Sequence, residues 1–262
     1  FRSPIGGWYK RTQRALLKKP IIAWGFNAIP EFGDIVGRSE WQIEVEKNNF
    51  RSLSKYCDIA FCVSNRIKEY VVDELGVRNV VTVPNGSDLT MFSPYHTPVP
   101  RLDYEKKINK VIWNGIAGLE RHYLDILRRV EEDLYIERNI KDISFHILGS
   151  GFVYAAKMPP NVHYHGAVQY DEVPYWLSGC DVGLITYKPG PAEYSSPLKF
   201  FDYLASGLLV VSTEQPQVRE ILTELGSSEY IVKSNDYLSM VKMLLKLREN
   251  KHEIKQIGRA SC

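Results

Sequence analysis

Lys199 and Asp202 stand three residues apart in the run Ser196-Pro197-Leu198-Lys199-Phe200-Phe201-Asp202-Tyr203-Leu204-Ala205-Ser206-Gly207. On a helix that spacing puts an ammonium and a carboxylate on one side. Lys199 falls in the first turn, where free backbone amides and the positive end of the dipole attract phosphate. Asp202, one turn on, can accept hydrogen bonds from vicinal hydroxyls such as those of a ribose. Phosphate at the cap and ribose beside the next turn is one way for a helix to hold a nucleoside diphosphate. Taken alone, the helix favours a plainer reading, a solvated ion pair on an amphipathic surface.

Local signals define the element that carries the pair. Ser196 is suited to the N-cap, and Pro197 to the first helical position, where no amide donor is needed. Leu198, Phe201, Leu204 and Ala205 recur at three- and four-residue steps and form the expected core stripe. Gly207 is the expected stop, because a positive φ is cheap there. Leu208 to Thr213 then reads as a buried strand.

The rest of the chain alternates in the same way. Strands are expected at Pro20–Phe26, Ile59–Val63 and Val80–Val83, with helices at about 39–55 and after the cap Ser64, the latter stopped by Gly76. Further on, strands are expected at Lys110–Trp113, Ile143–Leu148, Val162–His165 and Asp181–Ile185. A helix carrying Tyr123, Leu127, Val130 and Leu134 lies among them, with a short one capped by Asp171 and later helices at 217–225 and 235–248. Strand, helix, strand at this spacing means βαβ units on parallel sheets, an α/β fold. Residues 1–95 form a first Rossmann-like domain and 96–107, with its Pro-rich start, a linker. Residues 108–262 form a second Rossmann-like domain. Three strands make the first domain incomplete, so the chain is expected to be a truncated piece.

Loops at the carboxyl ends of parallel strands line the ligand crevice. That makes Glu31 and Asp34, in the loop after the first strand, candidates to touch a substrate hydroxyl.

The totals exclude several classes. Apolar residues make up 44% and charged residues 24% of the 262, and the formal net charge is +2. This is the balance of a globular protein and lacks the basic excess of a nucleic-acid binder. No stretch approaches the roughly 20 apolar residues of a membrane span. Four scattered cysteines point to a reducing, cytoplasmic setting rather than a disulfide framework. Residues 8–19 mix Lys10, Arg11, Arg14, Lys18 and Lys19 with Trp8, Tyr9, Leu16 and Leu17, a pattern compatible with weak peripheral contact to an anionic inner membrane face. His163 and His165 share one face of a strand, but no Cys or carboxylate at a suitable spacing completes a metal site. Gly149-Ser150-Gly151 lacks the full dinucleotide fingerprint, so no NAD site is expected.

Several segments together resemble one family. They are Cys57-Asp58-Ile59-Ala60-Phe61-Cys62-Val63-Ser64, Val83-Pro84-Asn85-Gly86-Ser87-Asp88 with Phe92-Ser93-Pro94, and Leu148-Gly149-Ser150-Gly151. Asn161-Val162-His163-Tyr164-His165-Gly166, Cys180-Asp181-Val182-Gly183-Leu184 and the Ser196–Gly207 run complete the set. In order and spacing they resemble the nucleotide-sugar glycosyltransferases of GT-B fold, in particular the large, mostly retaining group 1 family (family 4).

The resemblance implies a hexosyltransferase that moves a sugar from a nucleotide diphosphate to a glycan, lipid or protein acceptor. Surface polysaccharide or glycoconjugate synthesis is the implied setting. Donor binding would fall to Asn85, Gly86, Gly115, Gly149, Gly151, Ser195, Ser196, Pro197, Lys199 and Asp202, the last standing where the family usually has a ribose-binding Glu. Lys199 and the helix-end amides would stabilise the leaving diphosphate without a bound metal or cofactor. Retaining members commonly carry a Glu eight residues before that acid. Tyr194 occupies the position here and Glu193 is its neighbour, the catalytic candidate beside Lys199. The family's basic pair after the first strand of its second domain has only Arg121 as a nearby match. Two alternatives accompany this expectation, a catalytically degenerate scaffold of the same fold and a sugar-nucleotide epimerase.

Overall fold

The computed structural model describes residues 12, 15–16, 24–30, 39–55, 57–103, 109–116, 122, 124–151, 159–250 and 254. The chain divides into two compact units. The first is Phe1–Asn85 with Pro191–Ser196, and the second is Gly86–Gly190 with Pro197–Cys262.

In the first unit, β1 (Trp24–Phe26), β2 (Ala60–Cys62) and β3 (Val80–Thr82) form a parallel sheet in that order. Helix α1 (Glu40–Ser54) connects the first two strands and α2 (Asn65–Asp73) the last two. Their core is Phe26, Ile29, Ala60, Cys62, Ile67, Val71 and Val77. As expected, Ser64 caps α2, its hydroxyl accepting from Ile67 N, and Gly76 follows the helix at φ 67.

The second unit begins with the short helix α3 (Pro100–Asp103) and β4 (Asn109–Asn114). Helix α4 (Leu124–Glu132) runs on into a π-helical turn, followed by β5 (Ile143–Leu148) and β6 (Val162–Gly166). Then come α5 (Val173–Leu177), β7 (Val182–Ile185), α6 (Leu198–Ala205) and β8 (Leu209–Thr213). Helix α7 (Pro216–Glu224), the two-residue β9 (Ile231–Val232) and α8 (Tyr237–Glu249) finish the unit. All six strands are parallel, in the order β6-β5-β4-β7-β8-β9. Numbered within the unit this is 3-2-1-4-5-6, the doubly wound order whose direction of travel reverses between β4 and β7. β5, β7 and β8 are buried along their whole length, as strands covered on both faces must be.

Three local expectations need correcting. The division between units falls at Asn85 rather than residue 95, and the expected linker is part of the second unit. Phe92 is buried and packs its ring 5.6 Å from that of Tyr170, while Leu102 is buried where a Cβ on Gly179 would come within 2.7 Å of it. Two large apolar anchors therefore hold this Pro-rich segment down. The short helix after β6 has Glu172, not Asp171, at its cap position and no side-chain cap bond. β9 is absent from the sequence reading, two residues being too short for any periodicity.

Candidate functional site

Helix α6 packs on the sheet through a face that includes only Ala205 of the expected stripe. Lys199, Phe200, Asp202, Tyr203 and Ala205 are its buried residues, whereas Leu198 is 60% exposed and Phe201 and Leu204 are only partly covered. Tyr203 decides the orientation. Its ring lies so close to Gly183 of β7 that a Cβ there would come within 2.4 Å. Its hydroxyl donates to Asn114 Oδ1 and accepts from Asn114 N at the end of β4. Lys199 is thereby turned toward the carboxyl ends of β4 and β7, where the strand order reverses, and Asp202 is buried one turn further on against Ser87. They are not a solvated pair on the outer face.

The cap also shifts by one residue. Pro197, with φ −70 and ψ 111, holds the cap position and makes no side-chain cap bond; Leu198 is the first helical residue. The Ser196 hydroxyl accepts instead from Asn85 N at 3.1 Å, and Asn85 Nδ2 donates to Ser196 O at 2.8 Å. Gly207, at φ 72, ends the helix as expected.

Lys199 sits in an aromatic box that the sequence reading missed. Its Nζ lies 4.3 Å from the Trp113 ring centroid and 5.8 Å from that of Tyr187. Such contacts are worth about 0.5–2 kcal/mol depending on solvent access. The indole Nε1 donates to Thr186 Oγ1, and that hydroxyl in turn donates to His122 O. The buried His122 ring stands 5.6 Å from Trp113 and 5.5 Å from Tyr187, with Nδ1 2.7 Å from Ile116 O. Gly115 makes room for the box: at φ 152, a Cβ on it would lie 2.9 Å from Lys199 Nζ.

Gly149 permits a close backbone approach, here to Gly115. A Cβ there would lie 1.7 Å from Gly115 O, so this glycine is needed for the two strand-end loops to pass each other. Tyr164 donates to Gly149 O, and Gly149 N donates to Gly166 O. Gly151 adopts φ 77, and Gly86 has open space where a side chain would stand.

Asp202 is 4% exposed. Ser87 Oγ donates to its Oδ1 at 2.7 Å. Burial pushes the carboxyl up to about 6, and the Ser87 hydrogen bond works against that shift. A carboxyl raised by folding makes a contribution to stability that is present below its ordinary range and lost as pH rises through about 6. Charging this group therefore costs the folded protein stability, and a ligand that donates hydrogen bonds to it recovers part of that cost. Tyr170 stands near enough that Asp202 and Asp88 both help raise its phenol, after the larger effect of its own desolvation.

The remaining candidates sort by unit. Asn85, Glu193, Ser195 and Ser196 belong to the first; Gly86, Gly115, Gly149, Gly151, Pro197, Lys199 and Asp202 belong to the second. Glu193 Oε2 lies 3.6 Å from Arg66 Nη2, and Tyr194 O accepts from the Ser64 hydroxyl. Ser195 Oγ donates to Ala192 O. Glu31, Asp34, Arg121 and most of segment 8–19 lie outside the described residues.

His163 and His165 do share a face, and β5 adds His146 to it. The His146 ring centroid is 5.0 and 5.3 Å from the other two, with His146 Nδ1 3.1 Å from His165 Nε2. Among the described residues no group of three or more His, Cys, Asp or Glu is arranged to hold a metal ion. Burial, helped by the other two rings and Lys110, pushes His146 down to about 3. Because folding holds this ring neutral, its contribution to stability is full above 6.5 and is lost as pH falls toward 3. No helix among the described residues is long and apolar enough to cross a membrane.

Comparison with known proteins adds to this geometry. The sequence model for the family described as "Glycosyl transferases group 1" matches residues 116–250. The chain is 36% identical over 192 residues to TuaH of Bacillus subtilis (strain 168), assigned as a teichuronic acid biosynthesis glycosyltransferase; the match covers 70% of this chain and 47% of TuaH. Among solved structures, sucrose-phosphate synthase from Thermosynechococcus elongatus superposes with a TM-score of 0.67 at 12% identity, covering 97% of this chain and 65% of that one. S. aureus TarM, in complex with Fondaparinux, alpha-GlcNAc-glycerol and UDP, gives 0.66 at 18% identity over 91% of this chain and 46% of that one. HepE of Anabaena, in complex with UDP and glucose, gives 0.65 at 10% identity over 99% and 70%. These likenesses show the GT-B fold. The chain thus spans about half the length of the curated relative and less than two thirds of several solved ones.

Proposed function

The chain belongs to the group 1 glycosyl transferases, and from that membership we propose that it binds a nucleotide-diphosphate sugar and takes part in transferring the sugar to a glycan, lipid or protein acceptor. Surface polysaccharide or glycoconjugate synthesis is the setting, in line with the assignment of TuaH. The observation that carries the reading is the burial of Lys199 and Asp202 on one face of α6, with the Lys199 ammonium against Trp113 and Tyr187 at the switch point of the sheet. Two charges are not taken out of water there without return, and a ligand with phosphates and vicinal hydroxyls supplies it.

In this reading Lys199 and the first amides of α6 take up the negative charge that grows on the diphosphate as the glycosidic bond breaks. They do so without a metal. Asp202 takes ribose hydroxyls. Gly115 keeps the floor open below the phosphates. Glu193 is the candidate acid, retention of anomeric configuration the expected outcome, and Glu31 and Asp34 the acceptor-side candidates. Peripheral contact of residues 8–19 with the inner membrane face would bring the chain to a lipid-linked acceptor. One observation favours a second reading, a nucleotide-binding relative without turnover: Arg66 engages Glu193, and Tyr194 stands where an acid is usual.

The test is calorimetric titration with UDP, GDP and ADP. UDP comes first because it occurs in the TarM and HepE complexes. Micromolar binding of one of them is expected, weakened about tenfold or more in Lys199→Ala and in Asp202→Ala, the loss that removal of a charged hydrogen bond brings. Affinity is also expected to fall as pH drops below about 6, where Asp202 takes a proton. Binding unaffected by either substitution would overturn the reading. Turnover of the matching nucleotide sugar, with the product's anomeric configuration read by NMR, then separates a retaining enzyme from the second reading.

A further inference from the structure

Thr186 stands one residue past the end of β7, and its side chain is buried. A threonine hydroxyl at a strand end often closes on a backbone group a few residues away. Thr186 reaches across the chain instead. Its Oγ1 donates to His122 O at 2.6 Å and accepts from the Trp113 indole Nε1 at 3.1 Å. One hydroxyl thus joins the end of β4, the segment at residue 122 and the end of β7, and these carry the rings of Trp113, His122 and Tyr187.

The hydroxyl is itself held in place. Thr213 of β8 is fully buried and braces the backbone on both sides of Thr186. Tyr187 N donates to Thr213 Oγ1 at 2.7 Å, and that oxygen lies 3.3 Å from Ile185 O and 3.0 Å from Tyr187 O. On the other side of the bond, the indole has a single donor and sits almost wholly out of water. Turning Nε1 away from Thr186 would give up a hydrogen bond that no water replaces. The His122 ring lies nearly perpendicular to the indole at 5.6 Å, and a Cβ on Gly115 would come within 3.2 Å of its Cη2. Those neighbours confine the ring, and the Thr186 bond fixes the rotation left to it.

Lys199 Nζ lies over that ring, 4.3 Å from its centroid. The attraction of an ammonium to an aromatic face is lost once the cation leaves the face. The direction in which the indole is held therefore sets where the ammonium stands. We propose that Thr186 is a positioning residue: through Trp113 it places the Lys199 ammonium, and so it sets how tightly the site holds phosphate. This rests on the reading of Lys199 as a phosphate ligand and adds to it a residue outside the Ser196–Gly207 run.

The experiment titrates the full chain with whichever of UDP, GDP and ADP it binds best. Wild type, Thr186→Val, Thr186→Ser and Trp113→Phe are compared, with Thr186→Val also placed in a Lys199→Ala background. The place of the ammonium is read separately, from the NMR signal of the Lys199 ε-methylene, identified by its loss in Lys199→Ala. An indole face shifts such a signal upfield. Thr186→Val keeps the shape and removes the hydroxyl; it is expected to weaken binding about fivefold and to move the methylene signal downfield. Thr186→Ser should restore both, and Trp113→Phe, which removes the donor from the other end, should weaken binding at least as much. In the Lys199→Ala background Thr186→Val should change affinity no further. Where Thr186→Val does not fold, Trp113→Phe takes its place in each comparison. An unmoved methylene signal, an unchanged affinity, or equal weakening in both backgrounds would overturn the inference while leaving the nucleotide site standing. If the wild type binds none of the three diphosphates, the functional reading fails, and the methylene signal still decides whether Thr186 places Lys199.

Discussion

The two units each contain a helix that follows a strand-end loop and stops at a glycine, and they finish the amino ends of those helices differently. In the first unit, Ser64 caps α2 with its side chain. Its hydroxyl accepts from Ile67 N and donates to Tyr194 O, so the cap also ties down residues 191–196 of the same unit. In the second unit, α6 begins at Pro197 with no side-chain cap, and the serine before it has its hydroxyl on the Asn85 amide. Yet Gly76 and Gly207 follow the two helices at nearly the same positive φ, 67 and 72. The stops are equivalent; the starts are not. A side-chain cap satisfies one of the first amides of α2 within the protein, whereas at α6 no side chain does so and the first turn carries the buried Lys199.

The comparison can be broken most severely at Gly115. Gly115→Ala puts a side chain on a backbone at φ 152, 2.9 Å from Lys199 Nζ. A loss of about 1–3 kcal/mol in stability is expected from the strained backbone, readable in chemical denaturation. Nucleoside diphosphate affinity should fall by about tenfold or more as Lys199 is displaced from the Trp113 face. An alanine variant that binds normally would show that the aromatic box does not position the lysine.

Ser64→Ala comes next. It removes a cap and the tie to Tyr194, and about 1–2 kcal/mol of stability should go with them. The unfolding midpoint in urea is the measure. A change within a few tenths of a kcal/mol would mean that the first unit does not depend on this closed end.

The mildest change sharpens the contrast by reversing it. Pro197→Ser supplies the hydroxyl that α6 lacks, at a residue whose extended backbone already suits a cap. A gain of about 0.5–1 kcal/mol is expected, together with a few-fold weaker hold on a nucleoside diphosphate, because the new hydroxyl competes for the same amides. Stability rising with no change in affinity would remove the uncapped helix end from the site.

Much of this arrangement is legible in the chain because it rests on local signals. Ser64 as a cap, Gly76 and Gly207 as stops and Ile143–Leu148 as a strand all follow from residue type and short-range periodicity. So does the presence of Lys199 and Asp202 on one side of α6. The family was legible as well, through motif order, and residues 116–250 match its sequence model. The site's walls were not. Trp113 and Tyr187 are drawn to Lys199 from the ends of β4 and β7, and Ser87 reaches Asp202 across 115 positions of chain. No spacing rule spans such separations.

The amino-acid sequence by itself determined the alternation of strands and helices, the parallel sheets this implies, and which helix bears the charged pair. Each depends on backbone preferences and side-chain periods within a few residues. The tertiary structure alone decided which face of α6 is buried and where the Ser196 hydroxyl goes. Leu198, Phe201 and Leu204 have the spacing of a core stripe, but Tyr203 fits over Gly183 and hydrogen-bonds Asn114, and this rotates the helix so that Lys199 and Asp202 face inward. A local pattern records how apolar each face is. Which face meets the sheet depends on the shape and polar groups it finds there, and those come from strands far away in the chain.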